Sequence, residues 1–296
     1  MSDSVQATLD RFLQEGTSPN IALMQLFAAT ATEHDARVGL DAAIARARRA
    51  CDHASACRLL ALQQLWASLP GAYRAVSDIS RVADAKLRGS QPERLRQLRE
   101  IFDHAVAISP EAAVALYSLG NRELLDQITA EAVRLMAAWK LFDQTSVVAD
   151  LGCGSGRFAR ALAPRVSTII GIDISEGMLR SAVESTAPLS NVLFVCSAGS
   201  NLAFLRDDSF DLVMGIDSFP YLVQAGTSRV HFEECGRILK IGARLLIMNF
   251  AYGCDVAEQR TNVAELAASA GLTVLRNGTA DLTSWDGKAF LLEKRS

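Results

Sequence analysis

Residues 146–157 constrain the fold of this chain more than any other stretch. A β-branched apolar run, Val147-Val148-Ala149, ends in Asp150 and passes through Gly152, Gly154 and Gly156. It then enters a segment with Phe158, Ala159, Leu162 and Ala163 at helical spacing. This reads as a strand, a tight turn and a helix N-terminus. Alternating glycines suit a turn that must reach positive φ and let a ligand approach the backbone closely. The free N–H groups of the following helix point at whatever sits over the turn.

Glycine spacing separates two kinds of ligand. A dinucleotide fingerprint needs Gly-x-Gly-x-x-Gly, with a pyrophosphate over the helix end. Here the third glycine comes one residue early and Arg157 stands where that motif has glycine. Asp150 also suits a cationic amine better than a phosphate. The motif Asp150-x-Gly152-x-Gly154-x-Gly156 resembles the S-adenosylmethionine loop of class I methyltransferases. A second β-rich run, residues 167–175, ends in Asp173, and a carboxylate at such a strand tip can accept both hydroxyls of a ribose. Ser175 then reads as the N-cap of a helix through Met178 and Leu179. The alternative is an α/β domain whose acids only cap helices.

Composition excludes several other classes. The start of the chain is polar and acidic, without the basic region and apolar core of a signal sequence. No apolar run approaches the ~20 residues that span a bilayer. A net charge of −3 gives no electrostatic reason to expect nucleic acid or an anionic membrane as partner. The six cysteines, at 51, 57, 153, 196, 235 and 254, form no Cys-x-x-Cys pair, and Cys51, His53 and Cys57 lack a metal-ligand pattern. They read as reduced thiols of a cytoplasmic protein with no metal site.

Two domains are expected, residues 1–140 and 141–296. The first is wholly helical, rich in Ala, Leu, Arg and Gln. Ser18-Pro19 opens one helix, residues 35–52 carry Val38, Leu40, Ala43, Ile44 and Ala47 at helical spacing, and Leu59 to Trp66 continue until Pro70-Gly71 interrupts. Another helix begins near Pro92, with Leu95, Leu98, Ile101 and Phe102 on its apolar stripe. Ser109-Pro110 caps a further start leading to Tyr117, and Gly120 ends it. The pentad Tyr117-Ser118-Leu119-Gly120-Asn121 resembles a segment ahead of the glycine loop in cyclopropane-fatty-acid-synthase-like methyltransferases, which implies that Tyr117 approaches the cofactor. A plain helix stop is the structural alternative.

From residue 146 onward strands and helices alternate, the signature of a mostly parallel sheet with helices on both faces. Strands are expected at 191–196, 210–216 and 243–250, with a closing pair at 272–275 and 288–292. Seven strands ending in a hairpin match the Rossmann-like class I methyltransferase sheet. Ser209-Phe210-Asp211-Leu212-Val213 is similar to a segment of ubiquinone-biosynthesis-type methyltransferases. So is the run from Glu233 through Arg237 to Gly242, with Ile241 in place of their proline. After the third strand that family has Gly-Asp-Ala, whose acid receives the adenine amine. Here Ser197-Ala198-Gly199 stands there, so the Ser197 hydroxyl, Asn201 or backbone groups must replace it.

The resemblance implies S-adenosyl-L-methionine as cofactor and methyl transfer to a small-molecule acceptor. It places Asp150 on the methionine amine, the backbone of Gly152, Cys153, Gly154 and Gly156 on the methionine moiety, Asp173 on the ribose hydroxyls, and Ile174 among the cofactor contacts. Met178, Ser197 and Ala198 line the adenine, and Gly215 and Ile216 flank the reacting methyl. Asp217 and Tyr221 are the candidates for a base. The helical domain is expected to cap the acceptor pocket, with a bundle that forms a homodimer as the alternative. The rival functions are a cofactor-fold binding protein without methyl transfer, a lipid-modifying enzyme of the cyclopropane-synthase type, and a dinucleotide oxidoreductase, which the glycine spacing disfavours.

Overall fold

The structure, a computed structural model, describes residues 3–83 and 86–295, so the ends of the expected domains at Met1 and Ser296 lie outside it. Its elements fall into two compact units. The first holds Met1–Ala85, Ile108–Ile128 and Thr283–Asp286, and the second holds Lys86–Ala107, Thr129–Leu282 and Gly287–Ser296. This interleaved division differs from a single boundary at residue 140. Amphipathic periodicity tells which face of a helix is buried, but not against which partner.

In the first unit, α1 (Asp3–Glu15), α2 (Pro19–Ala28), α3 (Glu33–Arg49), α4 (His53–Ala67) and α5 (Ala72–Ala83) enclose one core. Thr32 caps α3 by accepting the Asp35 N–H, and Asp52 caps α4 by accepting that of Ser55. Leu9, Leu23, Leu26, Leu40, Leu59, Leu62 and Val76 are buried together, with Phe27 packed on Trp66 and Tyr73 at centroid distances of 4.8 and 5.4 Å. Helix α5 is an element that the Pro70-Gly71 break does not announce. Its apolar residues Tyr73, Val76 and Ile79 are buried, and Tyr73 and Val76 belong to this core.

Helix α6 (Gln91–Ile108) belongs almost entirely to the second unit. The chain returns to the first unit for α7 (Pro110–Val114), where Ser109 Oγ accepts the Ala112 N–H. The helix breaks at Ala115, and a short 3₁₀ turn, Leu116–Ser118, leads to Leu119 and Gly120, both with positive φ. The stop expected at Gly120 is therefore made in two steps. Helix α8 (Arg122–Ala138) then carries the chain from the first unit into the second.

The second unit is built on a seven-stranded sheet with helices on both faces. Its elements are β1 (Val147–Leu151), α9 (Arg157–Leu162), β2 (Thr168–Asp173), α10 (Glu176–Thr186), β3 (Val192–Cys196), β4 (Phe210–Ile216), α11 (Phe219–Ala225), α12 (Ser228–Ile238), β5 (Leu239–Met248), α13 (Val256–Ser269), β6 (Leu272–Ala280) and β7 (Lys288–Lys294). Strand order is β3-β2-β1-β4-β5-β7-β6, parallel except for β7, which runs antiparallel to both β5 and β6. β1 and β4 are almost wholly buried, as central strands covered on both faces must be. Phe232, Cys235 and Ile238 of α12 and Val263 and Ala267 of α13 share a core with Val213, Leu245 and Ile247.

The Rossmann-like architecture is the one expected, with one local difference. The strand expected at 243–250 starts earlier, at Leu239, and takes in Gly242 at φ 81° and the exposed Ile241 through a register shift. The base candidates Asp217 and Tyr221 straddle the start of α11, with Pro220 in its first turn. Strand order reverses between β1 and β4, and in open α/β sheets the crevice beyond the strand ends at such a switch point is where ligands bind.

Candidate functional site

The loop after β1 is tied to β2. The N–H groups of Gly152 and Cys153 donate to Ile172 O at 2.7 and 3.2 Å. Gly152, Gly154 and Gly156 all have positive φ, at 69°, 52° and 75°. At Gly152 a Cβ would also lie 2.4 Å from Ser218 Cβ, and at Gly156 it would press on Ala182 of α10 at 3.1 Å. The first glycine thus lets the loop pass the end of β4, and the third lets α9 approach α10. Cys153 is buried beside Gly171, and burial pushes its thiol well up, so its side chain is a packing group.

Two buried acids flank this loop in different states. Asp150 is 2 % exposed, and its Oδ2 has no hydrogen-bond partner. Burial raises its pKa to about 7, with the Arg157 guanidinium opposing the rise and Asp173 adding to it. Asp173 accepts the Gly154 N–H on Oδ2 and the Ser175 N–H on Oδ1, both at 2.9 Å. Burial pushes it up as well, and these backbone donors hold it back. Each of its oxygens keeps a second lone pair for a further hydroxyl. Ser175 caps α10 by accepting the Met178 N–H at 3.0 Å, and Met178 is buried.

At the end of β4, Gly215 makes room for Phe219, whose ring would stand 2.5 Å from a Cβ there, and Ile216 is buried. Asp217 follows with φ 61°, a conformation uncommon outside glycine. Its N–H donates to Met248 O at 2.9 Å, and its Oδ1 accepts from Asn249 Nδ2 at 2.7 Å and from the Tyr252 hydroxyl at 3.1 Å. Arg157 Nη2 stands 3.8 Å from Asp217 Oδ2. Asn249 shares the positive φ, and its Oδ1 accepts the Lys288 N–H at 3.1 Å, which fixes the amide with its nitrogen toward Asp217. Tyr221 is half-buried, edge-on to Phe102 at 4.8 Å and to Tyr252 at 6.0 Å. Its pKa is raised to about 12 by burial and by Asp217, so at neutral pH the phenol is a donor and no base.

Asn249, Tyr252, Phe102 and Asp103 escape sequence reasoning. The one available signal is Asn249, a polar residue directly after the apolar run of β5. Asp103 Oδ1 accepts Ser175 Oγ at 2.6 Å and the Gly177 N–H at 2.9 Å, fixing α6 to the start of α10. Ile174 packs with Leu95 and Leu98 of α6, Ser197 is half-buried and Ala198 exposed. Tyr117 lies in the first unit, its ring stacked on Trp285 at 5.2 Å and its carbonyl accepting from Asn20 Nδ2 at 3.0 Å.

An unpartnered carboxylate oxygen at a switch point, beside a tight turn with three glycines at positive φ, fits an aminoacyl group with a positive charge. A family model described as a methyltransferase domain matches residues 148–242. Residues 148–242 are thus a methyltransferase domain. The chain is 30% identical over 165 residues to a demethylmenaquinone methyltransferase of Clavibacter sepedonicus, covering 56% of this chain and 62% of that protein. It is 31% identical over 122 residues to a malonyl-[acyl-carrier protein] O-methyltransferase of Marinomonas sp., covering 40% and 43%. The chain thus spans less than two thirds of the length of either relative. In fold, the chain is similar to phosphoethanolamine N-methyltransferase 1 of Haemonchus contortus, solved with phosphoethanolamine and S-adenosylhomocysteine. The TM-score is 0.52 at 13% identity, over 70% of this chain and 50% of that one. S-adenosyl-L-methionine is the cofactor of this class of methyltransferase domain. Among the described residues, no helix is long and apolar enough to cross a membrane.

Proposed function

We propose that the chain is a methyltransferase acting on a small-molecule acceptor, with cofactor and acceptor meeting beyond the ends of β1 and β4. The observation that carries this reading is the buried, unpartnered Oδ2 of Asp150. A bare buried carboxylate is costly, and an ammonium group brought by a ligand relieves that cost. Asp150 accordingly takes the amino group of the cofactor, while the backbone of Gly152, Cys153, Gly154 and Gly156 follows its methionine part. Asp173, already tied to the loop through Gly154, accepts the ribose hydroxyls. Ile174, Met178, Ser197 and Ala198 line the base, and Gly215 and Ile216 flank the reacting centre.

When bound, the cofactor supplies an activated sulfonium methyl. Around it, the chain's own groups orient the acceptor. Asp217 is held by Asn249 and Tyr252, and its carboxylate accepts a proton or a hydrogen bond from the acceptor. Tyr221 serves as a neutral hydrogen-bond donor, and with Phe102 and Tyr252 it forms an aromatic wall. The small-molecule reading is supported by the acceptors named in the two relatives, demethylmenaquinone and malonyl-[acyl-carrier protein], and by the absence of a basic charge excess.

Titration calorimetry with S-adenosylmethionine tests the cofactor part. Asp173→Ala is expected to weaken binding by about 1.5–3 kcal/mol, the range for hydrogen bonds to a charged group. Unchanged affinity in a folded variant would refute the assignment. A second reading, a cofactor-binding protein without transfer, draws on the serine at position 197 where the family has an acid. Methyl transfer to any acceptor in a candidate panel, followed by release of S-adenosylhomocysteine, decides against it.

A further inference from the structure

The side chains after β3 expected to stand in for the missing acid each accept a hydrogen bond from their own loop. Ser197 Oγ accepts the Gly199 N–H at 3.2 Å, and Asn201 is exposed with its Oδ1 accepting the Ala203 N–H at 3.1 Å. The Ser197 N–H prolongs the ladder onto Asp173 O at 2.9 Å. Helix α6 reaches the same edge from outside the sheet. Leu95 packs so close to Gly199 that a Cβ there would lie 3.1 Å from Leu95 Cδ2 and 2.7 Å from Ile174 Cγ2. One turn further along α6, the Arg99 guanidinium acts on the Cys196 thiol, opposing the rise that burial causes. Cys196 is the β3 partner of Asp173 in the ladder. Arg99 Nε is buried and has no hydrogen-bond partner. One turn beyond it, Asp103 anchors the helix to Ser175 and Gly177.

A guanidinium offers donors only, and a buried donor without an acceptor costs free energy. The ring nitrogens of a purine are acceptors, and a planar guanidinium also stacks well on an aromatic ring. We propose that Arg99 of α6 binds the adenine ring of the cofactor, taking over base recognition at the strand end where the acid is absent. Asp103 is then a positioning residue, because it sets where α6, and with it Arg99, lies against β2 and β3. The inference rests on reading this site as the S-adenosylmethionine site.

The test is titration calorimetry of the full chain with S-adenosylhomocysteine and its 1-, 3- and 7-deaza analogues. Arg99→Met, which keeps volume and loses every donor, is expected to raise Kd about tenfold, with the thermal midpoint of the unliganded protein no lower than wild type because a buried donor without an acceptor is removed. Arg99→Gln, which keeps one donor group, should recover part of the loss, and it carries the test if Arg99→Met does not fold. One deaza analogue should bind wild type more weakly than the parent ligand and bind Arg99→Met no worse than the parent. Equal affinity of wild type and Arg99 variants, or no analogue with that pattern, overturns the role of Arg99 alone. Failure of wild type to bind S-adenosylhomocysteine overturns the reading of the site.

Discussion

Two acids stand at the ends of neighbouring parallel strands, and the protein treats them in opposite ways. Asp150, at the end of β1, is buried with one oxygen unpartnered and a pKa pushed to about 7. Asp217, just beyond β4, is held by Asn249 and Tyr252 with Arg157 nearby. A carboxylate left short of partners is costly in the free protein and becomes favourable only when a cation arrives. A carboxylate supplied with partners is oriented before anything binds. The first arrangement suits affinity, and the second suits alignment of a reacting group.

The largest effect that sharpens this contrast is expected at the loop between them. Gly154 has φ 52°, and Gly154→Val puts a β-branched side chain on left-handed backbone at the position proposed for the cofactor's methionine part. Calorimetry should detect no S-adenosylmethionine binding, while circular dichroism stays near wild type. Normal binding would remove the loop from the site.

Asp150→Asn separates cost from affinity. An acid whose folded pKa is raised from 3.8 to about 7 lowers stability as pH climbs through that window, by on the order of 4 kcal/mol once fully ionised. The amide avoids that penalty, so the unliganded variant should melt higher than wild type at about pH 8, yet bind the cofactor at least ~10-fold more weakly. A variant that melts lower would mean that Asp150 is already satisfied in the free protein.

Smaller effects are expected at the other acid. Asn249→Ala and Tyr252→Phe each remove one hydrogen bond to Asp217. Each should lower kcat by roughly 10-fold, a net loss near ~1.4 kcal/mol, and leave cofactor Kd within about twofold. Asn249→Ala should cost more, because it also leaves the Lys288 N–H without its side-chain acceptor. A shift in cofactor Kd with kcat unchanged would place Asp217 on the cofactor side of the contrast.

The sheet and the glycine loop were legible in the sequence because backbone conformation leaves a residue-level trace. Three residues at positive φ call for glycine, and β-branched runs that end in acids mark strand tips. The partners of Asp217 were not legible. Asn249 and Tyr252 lie 32 and 35 residues away in sequence and meet it only through the β4–β5 pairing. Helix α6 shows the same limit. Its apolar stripe of Leu95, Leu98 and Phe102 was plain, but nothing local says that it packs with Ile174 and Tyr221. Removal of residues 1–105 would therefore strip a piece of the catalytic unit along with the helical one. The resemblance around Tyr117 rests on five residues, and its ring stacks on Trp285 within the first unit.

The most direct test of the contrast is the pH dependence of S-adenosylhomocysteine binding between about pH 5.5 and 8, measured by calorimetry on wild type and Asp150→Asn. The ligand's ammonium favours ionised Asp150, whose pKa in the free protein is about 7. Binding to wild type must therefore expel a proton below that point. Wild-type Kd should be flat above about pH 7 and rise by up to ~10-fold per pH unit below it, while the Asp150→Asn profile stays flat. Parallel profiles for the two proteins would contradict the account, because the ligand would then bind without reference to the charge on Asp150.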